Sequence, residues 1–294
     1  MVFETEKVFK RSCYVLKKCD VGFVCINSSS LLVMDFEGKI IKTYHIQHPS
    51  HFCFCELEYS NLIALLNTSG QLFIVDMQTD LFTEIKIQNT GEGCAPVFFN
   101  NCVYWADWNG KIFQYDLSTQ KLNVIEDLTE CNVMLETLDI AKDNQELYVT
   151  LLDRKDNKHY LMCSNLNTID FQKIELPVKK GTIVLGVKCE NKNLFFVDSK
   201  KSIVYVLQKN NKEFLVKQKI EIPKKYGIFD DSLFVKNNLL ALQNRNNTLI
   251  LDINTENVIF SLTDSYVSSV YINQNSLQIG CWDKGYSFKF VQTY

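Results

Sequence analysis

A unit of about forty residues recurs along the chain, and a chain built from such copies can fold in few ways. Each copy reads as an apolar stretch, a polar turn, a second apolar stretch and then Asp-x-x-Thr or a close variant, most clearly in residues 62–80, 103–120 and 239–256. The residues that close the second stretch are spaced by 41, 40, 49, 43 and 44 positions. They are Asp35, Asp76, Asp116, Asn165, Gln208 and Asp252, with a seventh near Val291. Seven units therefore average 42 residues in a chain of 294.

The apolar stretches indicate β-strands, because they are short runs of five to seven residues rich in Val, Ile, Phe and Tyr without a 3.6-residue period. Repeats of this length built from strands are typical of propeller blades with four strands each. The four prolines fall between the predicted strands or at their starts, where no ladder hydrogen bond is lost. The sequence therefore predicts an all-β protein, a seven-bladed β-propeller of four-stranded antiparallel blades that occupies residues 1–294 as a single domain.

Two features of the repeat resemble known β-propeller families. Residues 138–150, LDIAKDNQELYVT, are similar to the YVTN-type propeller repeat. The units that end in Asp-x-x-Thr resemble quinoprotein-type and WD-repeat blades, and this pattern covers nearly the whole chain. The resemblance implies that loops joining strands two and three of a blade share one face with the loops joining successive blades, and that this face binds partners.

The two ends of the chain are expected to complete one blade together. The last unit runs out after its third strand, YSFKFVQ, whereas the N-terminal segment FETEKVF has the composition of a strand without a unit of its own. Pairing them would close the ring and remove an exposed sheet edge. The alternative is that the N-terminal segment is a frayed tail.

The composition is that of a compact globular protein, with 46% hydrophobic and 22% charged residues. No apolar stretch approaches the about 20 residues that span a bilayer, and the first ten residues lack the apolar region of a secretory signal. The eleven cysteines are odd in number, scattered and mostly within apolar runs, which suits buried thiols in a reducing compartment. These features predict a cytoplasmic protein and leave its oligomeric state open.

Charge is distributed unevenly, since residues 1–150 carry 11 Lys and Arg against 20 Asp and Glu, whereas residues 151–294 carry 20 against 14. Many of the positive residues fall in the predicted binding-face loops of blades four to six. A basic crescent of this kind would attract an acidic peptide, an anionic lipid head group or, least of all, a nucleic acid, and the alternative is an ordinary solvated surface. The basic residues predicted to bind a partner are Lys179, Lys180, Lys200, Lys201, Lys224, Lys225 and Arg245.

The three tryptophans, Trp105, Trp108 and Trp282, all lie at or beside predicted binding-face loops. Large rings with a polar edge serve as hot spots for a protein partner or as stacking platforms for a sugar. Trp108 lies in a turn and is expected to be exposed, whereas packing between blades is the favoured interpretation for Trp105 and Trp282. Trp108, Trp282 and Tyr286 complete the set of residues predicted to bind a partner.

Catalytic and cofactor motifs are missing from the sequence, which contains no Gly-x-Ser-x-Gly, His-Glu-x-x-His, phosphate-binding glycine loop or dinucleotide fingerprint. His45, His48 and His51 precede Cys53 and Cys55, but their spacing fits no structural zinc pattern and the cysteines alternate with phenylalanines as in a strand. We therefore expect no catalytic residues, no metal and no cofactor. The sequence predicts a non-catalytic scaffold or adaptor that binds a protein segment, with an acidic segment favoured. The alternative is a glycan- or small-molecule-binding propeller enzyme, a hydrolase or lyase, with an axial site that includes Asp107, Asp283 and a histidine of residues 45–51.

Overall fold

The computed structural model describes residues 2–55, 61–176, 178, 184–190, 192–210, 213–229, 232–264, 266–273 and 275–291. These residues contain 28 β-strands and two short 3-10 helices, η1 (Thr129–Cys131) and η2 (Lys224–Tyr226). No helix in this part of the chain is long and apolar enough to cross a membrane.

The strands follow one another in groups of four after an initial single strand. In chain order the first seventeen are β1 (Val2–Phe9), β2 (Val15–Cys19), β3 (Gly22–Ile26), β4 (Ser30–Met34), β5 (Ile40–His45), β6 (Pro49–Phe54), β7 (Leu62–Asn67), β8 (Leu72–Asp76), β9 (Leu81–Ile85), β10 (Val97–Phe99), β11 (Cys102–Ala106), β12 (Lys111–Asp116), β13 (Lys121–Asp127), β14 (Val133–Ala141), β15 (Glu146–Asp153), β16 (Lys158–Asn165) and β17 (Gln172–Glu175). The remaining strands are β18 (Val184–Glu190), β19 (Asn193–Asp198), β20 (Ile203–Asn210), β21 (Glu213–Glu221), β22 (Ser232–Lys236), β23 (Leu239–Gln243), β24 (Asn247–Asp252), β25 (Val258–Thr263), β26 (Val267–Ile272), β27 (Ser276–Cys281) and β28 (Gly285–Val291).

Seven antiparallel sheets of four strands result, and six of them pair their strands in simple chain order. We number these sheets as blades 1 to 6, from β2–β5 to β22–β25. The seventh has the order β1-β28-β27-β26, so the N-terminal strand is the outer strand of the last blade. The predicted seven-bladed β-propeller, closed by the N-terminal strand, is therefore confirmed, and the frayed-tail alternative is wrong.

The chain forms two compact units. Unit 1 consists of Met1–Gln47 and Ile183–Tyr294, and it holds blades 1, 5, 6 and 7. Unit 2 is His48–Thr182, and it holds blades 2, 3 and 4. Unit 1 carries 21 Lys and Arg against 15 Asp and Glu, whereas unit 2 carries 10 against 19. The charge asymmetry seen between the halves of the sequence is thus an asymmetry between the two units.

Within each unit the core consists of apolar layers between neighbouring blades. The second and third strands of a blade are apolar on both faces because both faces are covered, as in the wholly buried β3 and β4. In unit 1, Leu277 and Ile279 of blade 7 pack with Ala241 of blade 6. In unit 2, Trp105 of blade 3 packs in one cluster with Leu66 of blade 2. Outer strands such as β9 are mostly exposed and lack the uniform burial of the second and third strands, so the two inner strands of each repeat stand out most clearly in the sequence.

The Asp-x-x-Thr signature of the repeat caps the turn between the third and fourth strands. In blade 2 the Asp76 carboxylate accepts hydrogen bonds from the backbone N–H groups of Gln78 and Thr79 and from the Thr79 hydroxyl. In blade 6 the Asp252 carboxylate accepts the N–H groups of Asn254 and Thr255, both at 2.9 Å. Short polar side chains at this position satisfy backbone donors that the strands leave unpaired. The repeat thus marks the end of the third strand in each blade that carries it.

Candidate functional site

The connections of unit 1 meet at one end of its blades. In an antiparallel blade the turn between strands two and three lies at the same end as the connection to the next blade. Backbone hydrogen bonds join them here, since Trp282 N–H donates to the Tyr266 carbonyl at 3.1 Å and Val267 N–H donates to the Arg245 carbonyl at 3.0 Å. The connection from β1 to β2 joins the same set through Cys13 N–H, which donates to the Cys281 carbonyl at 3.0 Å. The family resemblance implied that the binding face is built from such loops.

Three aromatic rings form a cluster on this surface, and we call Tyr14, Tyr266 and Trp282 the aromatic stack. The rings of Tyr266 and Trp282 are stacked with centroids 5.5 Å apart and an interplanar angle of 27°. The Tyr14 ring lies 5.8 Å from the Trp282 ring at 48°. Trp282 is 55% exposed and Tyr266 45%, whereas side chains of this size are usually covered. The sequence favoured packing between blades for Trp282, and the structure shows instead that its ring faces solvent.

A cation extends the aromatic stack at the Tyr266 end. The Arg245 guanidinium carbon lies 5.1 Å from the centroid of the Tyr266 ring, which is within the range of a cation–π interaction. Arg245 is exposed and lies in the turn between β23 and β24. Arg is well suited to such a site because its planar group stacks on an aromatic face while its N–H donors remain directed toward a ligand. Arg245 and Trp282, both predicted to bind a partner, are thus brought to one surface.

Three polar side chains beside the aromatic stack bond to one another. Lys284 Nζ lies 3.0 Å from Asp264 Oδ1, and the Tyr286 hydroxyl donates to the other oxygen of the same carboxylate. The hydrogen bond with Asp264 raises the pKa of Lys284. Burial and then the same carboxylate raise the pKa of Tyr286. Tyr286, predicted to bind a partner, is half-buried and its hydroxyl is engaged within the protein.

The lysines predicted to bind a partner differ in exposure and pairing. Lys200 is exposed beside β19, and Lys224 and Lys225 are exposed on η2. Lys201 is paired, because its Nζ lies 3.2 Å from the buried Asp198 carboxylate, and this contact raises its pKa. Lys179 and Lys180 lie outside the described residues.

The η2 lysines are connected to the Arg245 turn. The side-chain amide of Asn244 donates to the Ile228 carbonyl at 2.9 Å, and that of Asn247 donates to the Tyr226 carbonyl at 3.4 Å. Lys225 Nζ also lies 4.9 Å from the Tyr226 ring centroid. The exposed positive charges of η2 therefore belong to the same set of connections as Arg245.

Trp108 in unit 2 occupies the place in blade 3 that Trp282 occupies in blade 7. Each follows the second strand of its blade, and each donates its backbone N–H to the preceding inter-blade connection, Trp108 to the Glu92 carbonyl at 2.9 Å. Trp108 is 43% exposed, as expected, and Trp105 is buried in the core. Glu92 stands where blade 7 has Tyr266. The aromatic residue that stacks on Trp282 in blade 7 thus has an acidic residue at the corresponding position in blade 3.

The residues considered for catalysis or metal binding lie in strands and turns of the blades. Asp107 is wholly buried, and its carboxylate accepts the Lys111 N–H at 2.8 Å within the turn between β11 and β12. His45 ends β5 and His51 lies in β6, with His48 between the strands in a left-handed conformation. Among the described residues, no group of three or more His, Cys, Asp or Glu side chains is arranged to hold a metal ion.

Two members of the aromatic stack escaped the sequence analysis. Tyr14 lies in the connection from β1 to β2, and Tyr266 lies in the connection from blade 6 to blade 7. Neither connection carries the repeat, so the pattern that located the blades gave no signal there. The usable signal was topological, because every inter-blade connection ends beside the following blade's turn between strands two and three.

Comparisons with known proteins show what the fold is similar to. The strand arrangement defines a β-propeller, and a solved structure agrees along the whole length. This is the crystal structure of the Cps50 (Swd1) β-propeller domain of Myceliophteria thermophila, which matches with a TM-score of 0.77 over 99% of this chain and 100% of that chain. The two are 7% identical in sequence, so the likeness concerns the fold alone. No protein-family model matches the chain, and no curated protein matches it either.

Proposed function

We propose that this protein is a non-catalytic interaction propeller that binds a partner protein segment over the connections of unit 1. The observation that carries the proposal is the exposed stack of Tyr266 and Trp282, continued by Tyr14 and Arg245. Trp, Tyr and Arg are the residues that most often dominate the energetics of protein interfaces. On this surface they are adjacent and uncovered.

The stack is ordered before any partner arrives. The Trp282 backbone is tied to Tyr266, and the two rings restrain each other. The Tyr14 carbonyl accepts a 2.7 Å hydrogen bond from the Ser268 hydroxyl, which fixes the third ring's backbone. Ordering side chains on association costs about 0.5–1.5 kcal/mol for each flexible group, so a preordered surface binds with a smaller entropic loss.

The charge of unit 1 supports an acidic segment as the partner. Lys200, Lys224, Lys225 and Arg245 are exposed, whereas the Asp264 carboxylate next to the stack is neutralised by Lys284. Asp283 and Glu221 add two exposed carboxylates, which the four cations outnumber. Opposite charge at the rim of an interface accelerates association and selects among partners. Lys179 and Lys180 remain predicted contributors.

The cytoplasm is the compartment we propose, and the protein acts there as a single domain. All eleven cysteines are free thiols, and eight of them are buried. Buried free thiols are typical of proteins from reducing compartments. We also propose that binding requires no cofactor, since the anchors are side chains of the chain itself.

The proposal is tested by quantitative affinity purification from the native cells with three tagged proteins. These are the wild type, the double variant Tyr266→Ala with Trp282→Ala, and Phe36→Ala as a control, because Phe36 is a 50% exposed aromatic residue in the turn after β4. We expect a stoichiometric partner with the wild type and the control that is depleted about tenfold with the double variant.

The role of charge is tested in the same purification at low and high salt. Recovery of the partner should fall with salt for the wild type, and this dependence should weaken when Lys200, Lys224 and Lys225 are changed to Glu. Equal recovery by all proteins would contradict the proposed surface. If only glycans or small molecules bind, and the stack variants lose them, the alternative propeller function replaces the protein-binding one.

A further inference from the structure

A concave site lies in unit 2, which the proposed function does not use. It is a cleft of about 400 Å³ between β13 of blade 3 and the strands of blade 4. Its walls are formed by two segments that do not follow the repeat pattern. These segments are η1, between the blades, and the connection from β16 to β17. Blade 4 is also the unit that gave the long interval of 49 residues in the sequence. Clefts of this size are typical of ligand sites.

The floor and walls of the cleft are apolar. Leu151 and Met162 are buried residues of blade 4. Leu128, at the start of η1, and Phe171, in the connection from β16 to β17, are half-buried. Ile169 in the same connection adopts a left-handed backbone conformation with φ +49°. This conformation is disfavoured for a β-branched residue, so the rest of the connection must hold it in place. The conformation of this wall is therefore fixed by the surrounding connection.

The rim of the cleft is acidic. Glu126, Asp153 and Asp170 supply three carboxyl groups, and Lys173 supplies the one cation in the lining. That cation is already engaged, because Lys173 Nζ lies 3.0 Å from Asp153 Oδ2. It also lies 3.9 Å from the centroid of the Tyr160 ring. The hydrogen bond from Lys173 lowers the pKa of Asp153. Glu126 and Asp170 are left to attract an incoming positive charge.

We infer that this cleft binds a basic protein segment that inserts one large apolar side chain between flanking Lys or Arg residues. The apolar wall accounts for the inserted side chain, and the carboxylates of the rim account for the flanking cations. The overall charge of unit 2, with 19 acidic against 10 basic residues, favours the same partner. The inference is independent of the proposed function, which concerns unit 1 and an acidic segment.

The test uses a fluorescently labelled peptide, Lys-Arg-Phe-Arg-Lys, titrated with the full-length protein and followed by fluorescence anisotropy. Two control peptides isolate the two parts of the inference, namely Lys-Arg-Gly-Arg-Lys without the apolar side chain and Glu-Asp-Phe-Asp-Glu with the opposite charge. We expect each control peptide to bind at least about tenfold more weakly.

Matched protein variants locate the site. Glu126→Lys combined with Asp170→Lys reverses the rim, whereas Glu84→Lys combined with Asp143→Lys makes the same charge change at exposed positions outside the cleft. Affinity should fall at least about tenfold for the first pair and less than about twofold for the second, because nearby charges act more strongly than distant ones in salt solution.

Cys131 provides a measurement that does not depend on charge. This exposed thiol lines the cleft, so N-ethylmaleimide attached to it should block the peptide. The Cys131→Ser variant treated with the same reagent should bind normally. The inference is overturned if the peptide does not bind, if both variant pairs bind it equally, or if the blocked wild type keeps its affinity. Equal binding of an uncharged apolar peptide would also overturn it.

Discussion

The Ser287 hydroxyl donates a 2.8 Å hydrogen bond to the Glu6 carboxylate, although the two residues are 281 positions apart in the chain. Glu6 lies on β1, at the irregularity between Thr5 and Lys7 where the pairing with β28 shifts by one residue. Its other oxygen accepts a 2.6 Å hydrogen bond from Lys18 Nζ on β2. One carboxylate thus links the first strand both to the last strand of the chain and to blade 1.

The Glu6 carboxylate should therefore stabilise the protein only while it is charged. Burial alone would raise the pKa of Glu6, but the hydrogen bonds from Lys18 and Ser287 outweigh it and lower the pKa below 4.5. A lowered pKa means that the contribution is complete above the unfolded-state value and disappears as the pH falls through the folded-state value. We expect Glu6→Gln to destabilise the protein by about 1–2 kcal/mol at pH 7 and by less below pH about 4.

Thermal unfolding at pH 7 and at pH 3.5 measures this difference. Glu4→Gln is the control, because Glu4 is an exposed acidic residue of the same strand. A loss of stability in Glu6→Gln that is the same at both pH values would contradict the charged role of Glu6.

The caps of the repeat give a second prediction. Asp252→Ala removes the acceptor for two backbone N–H groups in the turn after β24. We expect a loss of about 1 kcal/mol in the free energy of unfolding, measured by urea denaturation. Asp143→Ala removes an exposed carboxylate from another turn and should change stability by less than about 0.5 kcal/mol. Equal effects of the two variants would show that the cap contributes nothing.

The blades were predictable from sequence because they rest on local chemistry that repeats. Buried second and third strands produce the paired apolar stretches, and side chains such as Asp76 cap each following turn. The pairing of β1 with β28 was predictable from counting strands. The aromatic stack was harder to predict from the sequence, because Tyr14 and Tyr266 lie in connections with no common sequence pattern. Whether a lysine is free also depends on tertiary contacts, as the pair of Lys201 with the buried Asp198 shows.

The close packing behind Tyr14 gives a third prediction. A Cβ atom on Gly280 would lie 2.4 Å from the Cys13 carbonyl oxygen and 2.8 Å from that of Tyr14. It would also lie 2.4 Å from Ser269 Oγ. Because two of these atoms belong to backbone, Gly280→Ala should destabilise the protein by about 1–3 kcal/mol and displace Tyr14 from the aromatic stack.

Thermal unfolding and partner capture are the measurements for Gly280→Ala. Adding Ser269→Ala removes one of the three close contacts and should restore only part of the stability, because the carbonyl contacts remain. A fully stable Gly280→Ala protein would contradict the close approach of β27 to the connection from β1 to β2.

The thiols give a fourth prediction. Cys131 is exposed, whereas Cys13, Cys25 and Cys281 are buried. Burial raises the pKa of Cys281 to about 12, and a hydrogen bond with Cys25 followed by burial raises the pKa of Cys13. Because the thiolate is the reactive form, iodoacetamide at pH 8 should modify Cys131 well before the three buried thiols. Peptide mass spectrometry over time measures the order of modification.

Unfolding provides the control for this experiment. All eleven thiols should react at comparable rates in guanidinium chloride, since burial is then lost. Early modification of Cys13 or Cys281 in the native protein would contradict the packing of these residues between blades 7 and 1.

The most direct test of the proposed partner-binding surface on unit 1 is site-specific photo-cross-linking in the native cells. Tyr266→benzoylphenylalanine places a photoreactive ring in the aromatic stack, and Phe36→benzoylphenylalanine places the same ring at a similarly exposed position after β4. Our account predicts that irradiation joins one partner to position 266, through an acidic segment identified by mass spectrometry, and that position 36 gives no such product. A partner joined at position 36 and not at position 266 would contradict the account.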